Sequence, residues 1–222
     1  MQNPLRLHIG SGQTRIDGFV NIDQIQGSDL CLDLNRDRLP FKDNSVDCIF
    51  SYHALEHLEN YLFALGEIWR VMQHGGRLLI EVPYVTLSEY NLVNPYHKQH
   101  FSEHSFDFFE IGRLKTSANE DSPILFTRGW HRFHYLPEFK NATEPARTYA
   151  RRHFFNVVRA IDFGLYAVKP PATRFEIQPG MADTLRSEFE RHLAARVRIP
   201  PISGSHKSPE LIETTARPPT AT

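Results

Sequence analysis

The chain has 222 residues, of which 41% are hydrophobic, enough to bury one substantial core. Lys and Arg total 25 against 26 Asp and Glu, and the net charge of −1 argues against a nonspecific nucleic-acid binder, which carries a basic face. No run of about 18 apolar residues is present to span a membrane, and the first residues lead into a strand without an apolar signal region, so a cytoplasmic location is expected.

The first element is the short apolar run Leu7-His8-Ile9, which breaks into Gly10-Ser11-Gly12. Asp23 follows Gly12 after ten intervening residues, and Gly18 to Ile22 must already form the second strand if Asp23 is to cap it. A strand ending in glycines and followed by an acidic residue looks like a nucleoside cradle. The glycines admit a ligand close to the backbone, and the carboxylate accepts hydrogen bonds from ribose hydroxyls. In a dinucleotide fold the acidic residue lies roughly 20 residues past the glycines, because a helix fills the gap and its N-terminus holds the pyrophosphate. Here only Gln13 to Asp17 are left for the connection, too few for a useful helix. The expected ligand is therefore a nucleoside without phosphates, and S-adenosyl-L-methionine fits that description.

Asp29 to Leu34 alternates and reads as a third strand, Leu39 to Ser45 as a turn-rich loop, and Val46 to Ser51 as a buried fourth strand. Cys31 and Cys48 sit in apolar contexts without metal-ligand spacing and read as buried thiols. Helical spacing covers Ala54 to Leu58 and Tyr61 to Met72, where Leu62, Leu65, Ile68, Trp69 and Met72 share a face. Gly75-Gly76 stops that helix, and Arg77 to Val82 is the next strand, closed by Pro83. Further on, Asp107 to Phe109 continues a helix that Gly112 breaks, and Ser117 to Ser122 is a polar loop. Ile124 to Tyr135 reads as a strand, Tyr149 to Val158 as a helix, Ile161 to Val168 as the last strand and Met181 to Val197 as a helix. The fold class is α/β: a Rossmann-like, mainly parallel sheet with helices on both faces, lacking the helix between strands 1 and 2. The expected organisation is a domain over 1–170 with an insertion or acceptor lid at about 107–158, a helical extension over 171–199 and a disordered tail over 200–222.

Three stretches in order carry a family resemblance. Leu39-Pro40-Phe41 with Asp43-Asn44-Ser45-Val46-Asp47 precedes the fourth strand. Ser51-Tyr52-His53-Ala54-Leu55-Glu56-His57-Leu58 follows it. Glu67 to Leu78, with Arg70-Val71-Met72 and Gly75-Gly76, leads to the fifth strand. With the Gly-rich turn and Asp23, the chain resembles the class I S-adenosylmethionine-dependent methyltransferases, in their small "type 11" branch, closely over about residues 5 to 106. His74 replaces the usual proline before the Gly pair. The acidic residue that often precedes the Gly-rich turn is absent, with His8 in its neighbourhood.

The resemblance implies that Gly10, Ser11 and Gly12 line the methionine and ribose side and that Asp23 grips the ribose. It implies that Asp33 and Leu34 meet the adenine, and that Ser51, Tyr52 and His53 border the methionine and the reacting centre. It further implies methyl transfer to a small-molecule or saccharide-type acceptor, on oxygen or nitrogen, with a base needed if the proton must leave; His is suited to that near neutral pH. The candidates are His57, His97 and His100. His53 and His57 share a face if their segment is helical. His97, His100 and His104 have helical spacing, but no Cys or carboxylate set completes a metal site there, so no metal is expected. A nucleic-acid amino methylase is disfavoured, because Ser51-Tyr52-His53-Ala54 stands where such enzymes carry an Asn/Asp-Pro-Pro-aromatic signature. The alternative is a non-catalytic S-adenosylmethionine-binding or scaffold protein with this fold.

Overall fold

The computed structural model describes residues 4–113 and 122–199. Strand β1 (Leu5–Ile9) buries Leu7, His8 and Ile9 completely. The two-residue β2 (Thr14–Arg15) interrupts the connection to β3 (Val20–Asp23), which is followed by the short β4 (Leu30–Cys31). Next come β5 (Val46–Tyr52), helix α1 (Tyr61–Val71) and the long β6 (Met72–Pro83). The later elements are β7 (Phe126–Tyr135), α2 (Glu144–His153), β8 (Val158–Ala167), α3 (Met181–Ala194) and β9 (Val197–Arg198).

Seven strands form one sheet in the order β4-β3-β1-β5-β6-β8-β7. The pairs from β4 across to β6 are parallel, whereas β8 runs antiparallel to both β6 and β7. From β1 the chain moves outward through β3 to β4, then returns to the other side of β1 as β5. The order therefore reverses between β1 and β5, and in open α/β sheets ligands bind at that point, beyond the carboxyl ends of the strands.

The sheet is covered on both faces. On one, α1 buries Ala64, Leu65, Ile68 and Val71 in the larger core. Glu67 and Arg70 on the same helix are a clamp: Glu67 accepts the Leu39 N–H at 3.0 Å, and Arg70 donates to the carbonyls of Leu39 and Phe41 at 2.9 and 3.0 Å. Two of the recurring motif segments are thus tied together for structural reasons. On the other face α3 buries Leu185 and Phe189 against Phe50, Cys48, Leu79 and Tyr166. Ile16 and Phe19 of the shortened β1–β3 connection lie in the same cluster. Helix α3 thus covers the face on which no helix joins β1 to β3, and the antiparallel pairing of β9 with β2 ties its far end to that connection.

The sheet with helices on both faces and the helix-free first connection agree with expectation, and several local readings are corrected. The third strand is only Leu30–Cys31, because Asp33 opens a hydrogen-bonded turn. Cys31 is exposed and only Cys48 is buried. Residues 55–57 form a single 3-10 turn rather than a longer helix, and Asp107–Phe109 is another. Leu62 points outward, since the buried stripe of α1 runs through Ala64, Leu65, Ile68 and Val71, with Tyr61 rather than Leu62 packed on the core at its start. Helix α2 spans Glu144–His153 and ends because Phe154 is extended, so Val158 already belongs to a strand. Most of the 117–122 loop and the tail over 200–222 lie outside the described residues.

His8 points away from the carboxyl end of β1 into the α3 side, 5.5 Å from the Phe50 ring. Its Nδ1 is 3.0 Å from Asn21 Oδ1, which also accepts the Ile16 N–H, so Nδ1 carries the proton and Nε2 is left without a partner. Burial disfavours a charge there and lowers the pKa to about 4, despite the bond to Asn21. The unfolded chain takes up this proton near pH 6.5. Stability is therefore complete above that pH and is lost as pH falls through 6.5 toward 4. Between pH 7 and 5 the His8 contribution is about 2 kcal/mol. Urea unfolding of the parent and of His8→Leu at the two pH values should differ by this amount in their pH dependence; parallel behaviour would mean that His8 is solvated.

Candidate functional site

At the switch point the chain turns sharply after β1. Gly10 and Gly12 have φ of +62° and +55°, which side chains with a Cβ rarely adopt. A Cβ on Gly10 would lie 2.1 Å from the Ala54 Cβ, so the position is closed to every other residue. The Gly12 N–H donates to Asp23 Oδ2 at 2.8 Å, and Ser11 N–H donates to the Ile22 carbonyl at 3.1 Å. The turn after β1 is thereby locked to the end of β3. These groups open into a cleft of about 560 Å³ whose walls include Gly10, Gly12, Asp23, Asp33, Leu34 and His53, with Leu32, Asn35 and Ala54 between them. One wall is apolar, the floor is backbone, and Asp23 stands half-buried between.

His53 closes the inner end. Its backbone is left-handed, with φ of +52°, and its N–H donates to the Glu81 carbonyl. Nδ1 lies 3.2 Å from Glu56 Oε1 and Nε2 lies 3.2 Å from Glu81 Oε1, and both carboxylates are buried. Burial alone would lower the His53 pKa, but the two carboxylates outweigh it and raise the value to about 9. Near neutral pH His53 is therefore a cation, a fixed donor rather than a base. Burial works against ionised Glu81 as well, but the bonds from His53 and Asp162 hold its carboxyl below the usual range. Strand register supplies this cluster: Tyr52 pairs with Glu81, Glu81 with Asp162, and Asp162 with Arg132 across β5, β6, β8 and β7.

A second cleft of about 690 Å³ meets the first at His53, His57 and Asn94 and continues along Glu56, Leu87, Tyr90, His97, Leu136 and Arg159. The left-handed His53 rules out a continuous helix to His57, and the 3-10 turn instead aims the His57 ring at the junction. Lys98 and Gln99 donate their N–H groups to the Glu56 carbonyl at 2.7 and 3.0 Å, which holds the 94–99 loop over this turn. His57 and His97 then meet edge to face, with ring centroids 4.8 Å apart. Burial lowers the His97 pKa.

The structure brings Gly10, Gly12, Asp23, Asp33, Leu34, His53 and His57 to the first cleft and His97 to the second. Ser11 and Ser51 are buried beneath, each with an unpartnered hydroxyl, and line neither cleft. Tyr52 turns to the α3 face, where the Arg196 guanidinium lies 4.3 Å from its ring centre. His100 is exposed and lines neither. Asp33 shares Oδ1 with the N–H and side chain of Asn35, so part of its carboxylate serves the local turn. Glu56 and Glu81 were not singled out from the sequence. Glu56 stands inside the Leu-Glu-His motif, a signal that was available, whereas Glu81 reads as one more strand position until register is known.

Residues 20–80 match the model of the family described as "Methyltransferase domain". The ubiquinone/menaquinone biosynthesis C-methyltransferase UbiE of Haemophilus ducreyi is 34% identical over 79 residues, 35% of this chain and 28% of that protein. An uncharacterized protein of Methanocaldococcus jannaschii, MJ0638, is 48% identical over 44 residues, 20% of this chain and 19% of that one. The chain thus aligns with less than a third of the length of these curated relatives. A SAM-dependent methyltransferase from Archaeoglobus fulgidus has a similar structure, with a TM-score of 0.50 at 15% identity over 73% of this chain and 86% of that one. The chain has the Rossmann-like fold of class I methyltransferases, and the resemblance to that class and its S-adenosylmethionine cofactor agrees with these matches. Most residues of the second cleft lie beyond the matched 20–80 segment. No helix of the described residues is long and apolar enough to cross a membrane.

Proposed function

We propose that the chain is an S-adenosylmethionine-dependent methyltransferase that acts on a small-molecule or saccharide-type acceptor. The observation that carries this reading is the junction of the two clefts at His53 and His57. A nucleoside in the first cleft directs its methionine end toward the second. The residues suit that cofactor: Gly10 and Gly12 leave room at the backbone, Asp23 offers its carboxylate to ribose hydroxyls, and Leu32 and Leu34 give an apolar adenine wall beside Asp33. The shortened first connection provides no helix N-terminus for a pyrophosphate.

When bound, the cofactor supplies an electrophilic methyl group on sulfonium, so the chain's task is to align an acceptor and exclude water. His53, held cationic between Glu56 and Glu81, fixes the wall between the clefts. The unbonded Nε2 atoms of His57 and His97 give the acceptor side its basic groups. The second cleft falls in the usual size range for small-molecule sites. The exposed rings of Tyr90 and Tyr96 at the clefts suit a ring-bearing acceptor such as a sugar. Leu136 brings the 107–158 stretch to the same cleft, which supports its role as the acceptor side.

Asp23→Ala tests the reading. Loss of hydrogen bonds to a charged acceptor costs about 1.5–3 kcal/mol, so calorimetry should record S-adenosylmethionine affinity weakened roughly 10- to 150-fold. Affinity equal to the parent's would remove Asp23 from the ribose site, and absence of binding by the parent itself would remove the cofactor assignment.

A further inference from the structure

Among the described residues, three groups of side chains come close enough to hold a metal ion. Cys48, Glu188 and His192 are sealed under α3, and Glu188 is already bonded to His192. Glu81 and Asp162 are buried and already bonded by His53, Arg132 and His134, with only Asp162 Oδ1 left without a partner. The third group, Glu56, His57 and His97, lies open to the second cleft, and its candidate ligand atoms fall within 4.8 Å of one another.

We propose that the Glu56 carboxylate, with His57 Nε2 and His97 Nε2, forms a binding site for a divalent transition metal ion; His57 Nε2 lies 4.0 Å from Glu56 Oε1. Hydrogen bonding at the far side of each ring sets the imidazoles for this. His57 Nδ1 is 3.2 Å from the Tyr96 carbonyl, which only accepts, so Nδ1 carries the hydrogen and the Nε2 lone pair is free. His97 Nδ1 is 2.8 Å from Asn91 Oδ1. The Asn91 amide is oriented by donating its Nδ2–H to the Tyr84 carbonyl, so its oxygen faces His97 and Nε2 is again the free lone pair. Metal-bound histidines are held in this way, by a carbonyl or carboxylate on the other ring nitrogen.

The third ligand carries an independent sign. Glu56 is 1% exposed, one carboxylate oxygen is taken by His53, and the other has no partner. A buried carboxylate oxygen without a donor is costly, and a cation would satisfy it. Bonds of about 2.0–2.2 Å place ligand atoms roughly 3.4 Å apart, so small rotations of the two rings close the set. Two imidazoles and one carboxylate suit Zn²⁺, Co²⁺, Ni²⁺ or Fe²⁺ better than the all-oxygen preference of Mg²⁺ or Ca²⁺. The expectation of no metal rested on His97, His100 and His104; the structure assembles a different set that shares only His97.

Three protein ligands leave open positions toward the cleft, suited to an acceptor that offers adjacent oxygens, as in a diol or hydroxy acid. That role rests on the methyltransferase reading; the metal site does not. With the ion bound, His57 and His97 are ligands rather than bases.

The test is titration of chelator-treated full chain with Co²⁺, followed by its visible absorption, with Zn²⁺ as competitor and no cofactor present. Expected are a 1:1 endpoint, intensified nitrogen-ligated Co²⁺ bands, and affinity weakened at least about tenfold in both His57→Gln and His97→Gln. His100→Ala and His104→Ala should bind as the parent does. Both rings are partly exposed, and a thermal melt verifies that the variants fold. Absence of Co²⁺ binding overturns the proposal, as does binding lost in the His100 or His104 variant, which would mark surface chelation. Binding that survives both His57→Gln and His97→Gln overturns it too. Because S-adenosylmethionine binding is measured separately, either reading can fail alone.

Discussion

Gly10→Ala is expected to destabilise the domain by about 2–5 kcal/mol and to abolish cofactor binding. Two costs combine. A Cβ at φ of +62° meets the left-handed penalty, about 1–2 kcal/mol. The same atom would sit 2.1 Å from the Ala54 Cβ, an overlap that side-chain rotation cannot relieve because both atoms are fixed to backbone. Overpacking of this kind costs about 1–3 kcal/mol and moves the backbone. The backbone that must move forms the floor of the first cleft. Removing the opposing methyl in Gly10→Ala with Ala54→Gly should recover the steric part and leave the conformational one. Thermal denaturation and S-adenosylmethionine titration of the two variants measure both. A single variant with parental stability and affinity would show that the turn is not held as described.

Phe189→Ala should cost about 3–5 kcal/mol, as deletion of a large ring from a packed core does. Phe189 is wholly buried, and its ring lies 5.5 Å from that of Phe50 in the middle of the sheet. In a chain of this length each kcal/mol lowers the melting temperature by about 2–4 °C, so a fall of roughly 6–20 °C is expected by circular dichroism. The effect is large because α3 supplies the cover that a helix between β1 and β3 would give. Loss of its anchor also uncovers Ile16 and Phe19, which fix the approach of β3 and hence of Asp23 to the site. A fall of only one or two degrees would mean that α3 is loosely docked and that the front of the sheet is stable without it.

Features written in short local patterns were legible in the sequence. The Gly10–Gly12 turn, Asp23 and His53 are placed by the ends of buried strands, and an apolar run that stops at glycine or a polar residue reveals such an end. The absent first helix was legible by arithmetic, since five residues cannot form a useful one. What depended on distant segments was not. Nothing near Phe189 says that it packs on Phe50, and the helix over 181–194 read simply as a charged amphipathic extension. Glu81 reaches His53 only through the pairing of β5 with β6, and the approach of His97 to His57 depends on two hydrogen bonds from the 94–99 loop to the Glu56 carbonyl. His100 has as suggestive a sequence context as His97, yet the loop turns it outward.

The cofactor assignment has the most direct test. Purified full chain would be titrated by calorimetry with S-adenosylmethionine and S-adenosylhomocysteine, with NAD as the control. The cleft beside Gly10 and Asp23, which has no helix N-terminus for a pyrophosphate, predicts saturable binding of both sulfur nucleosides and none of NAD. Binding of NAD, or of none of the three, would contradict it.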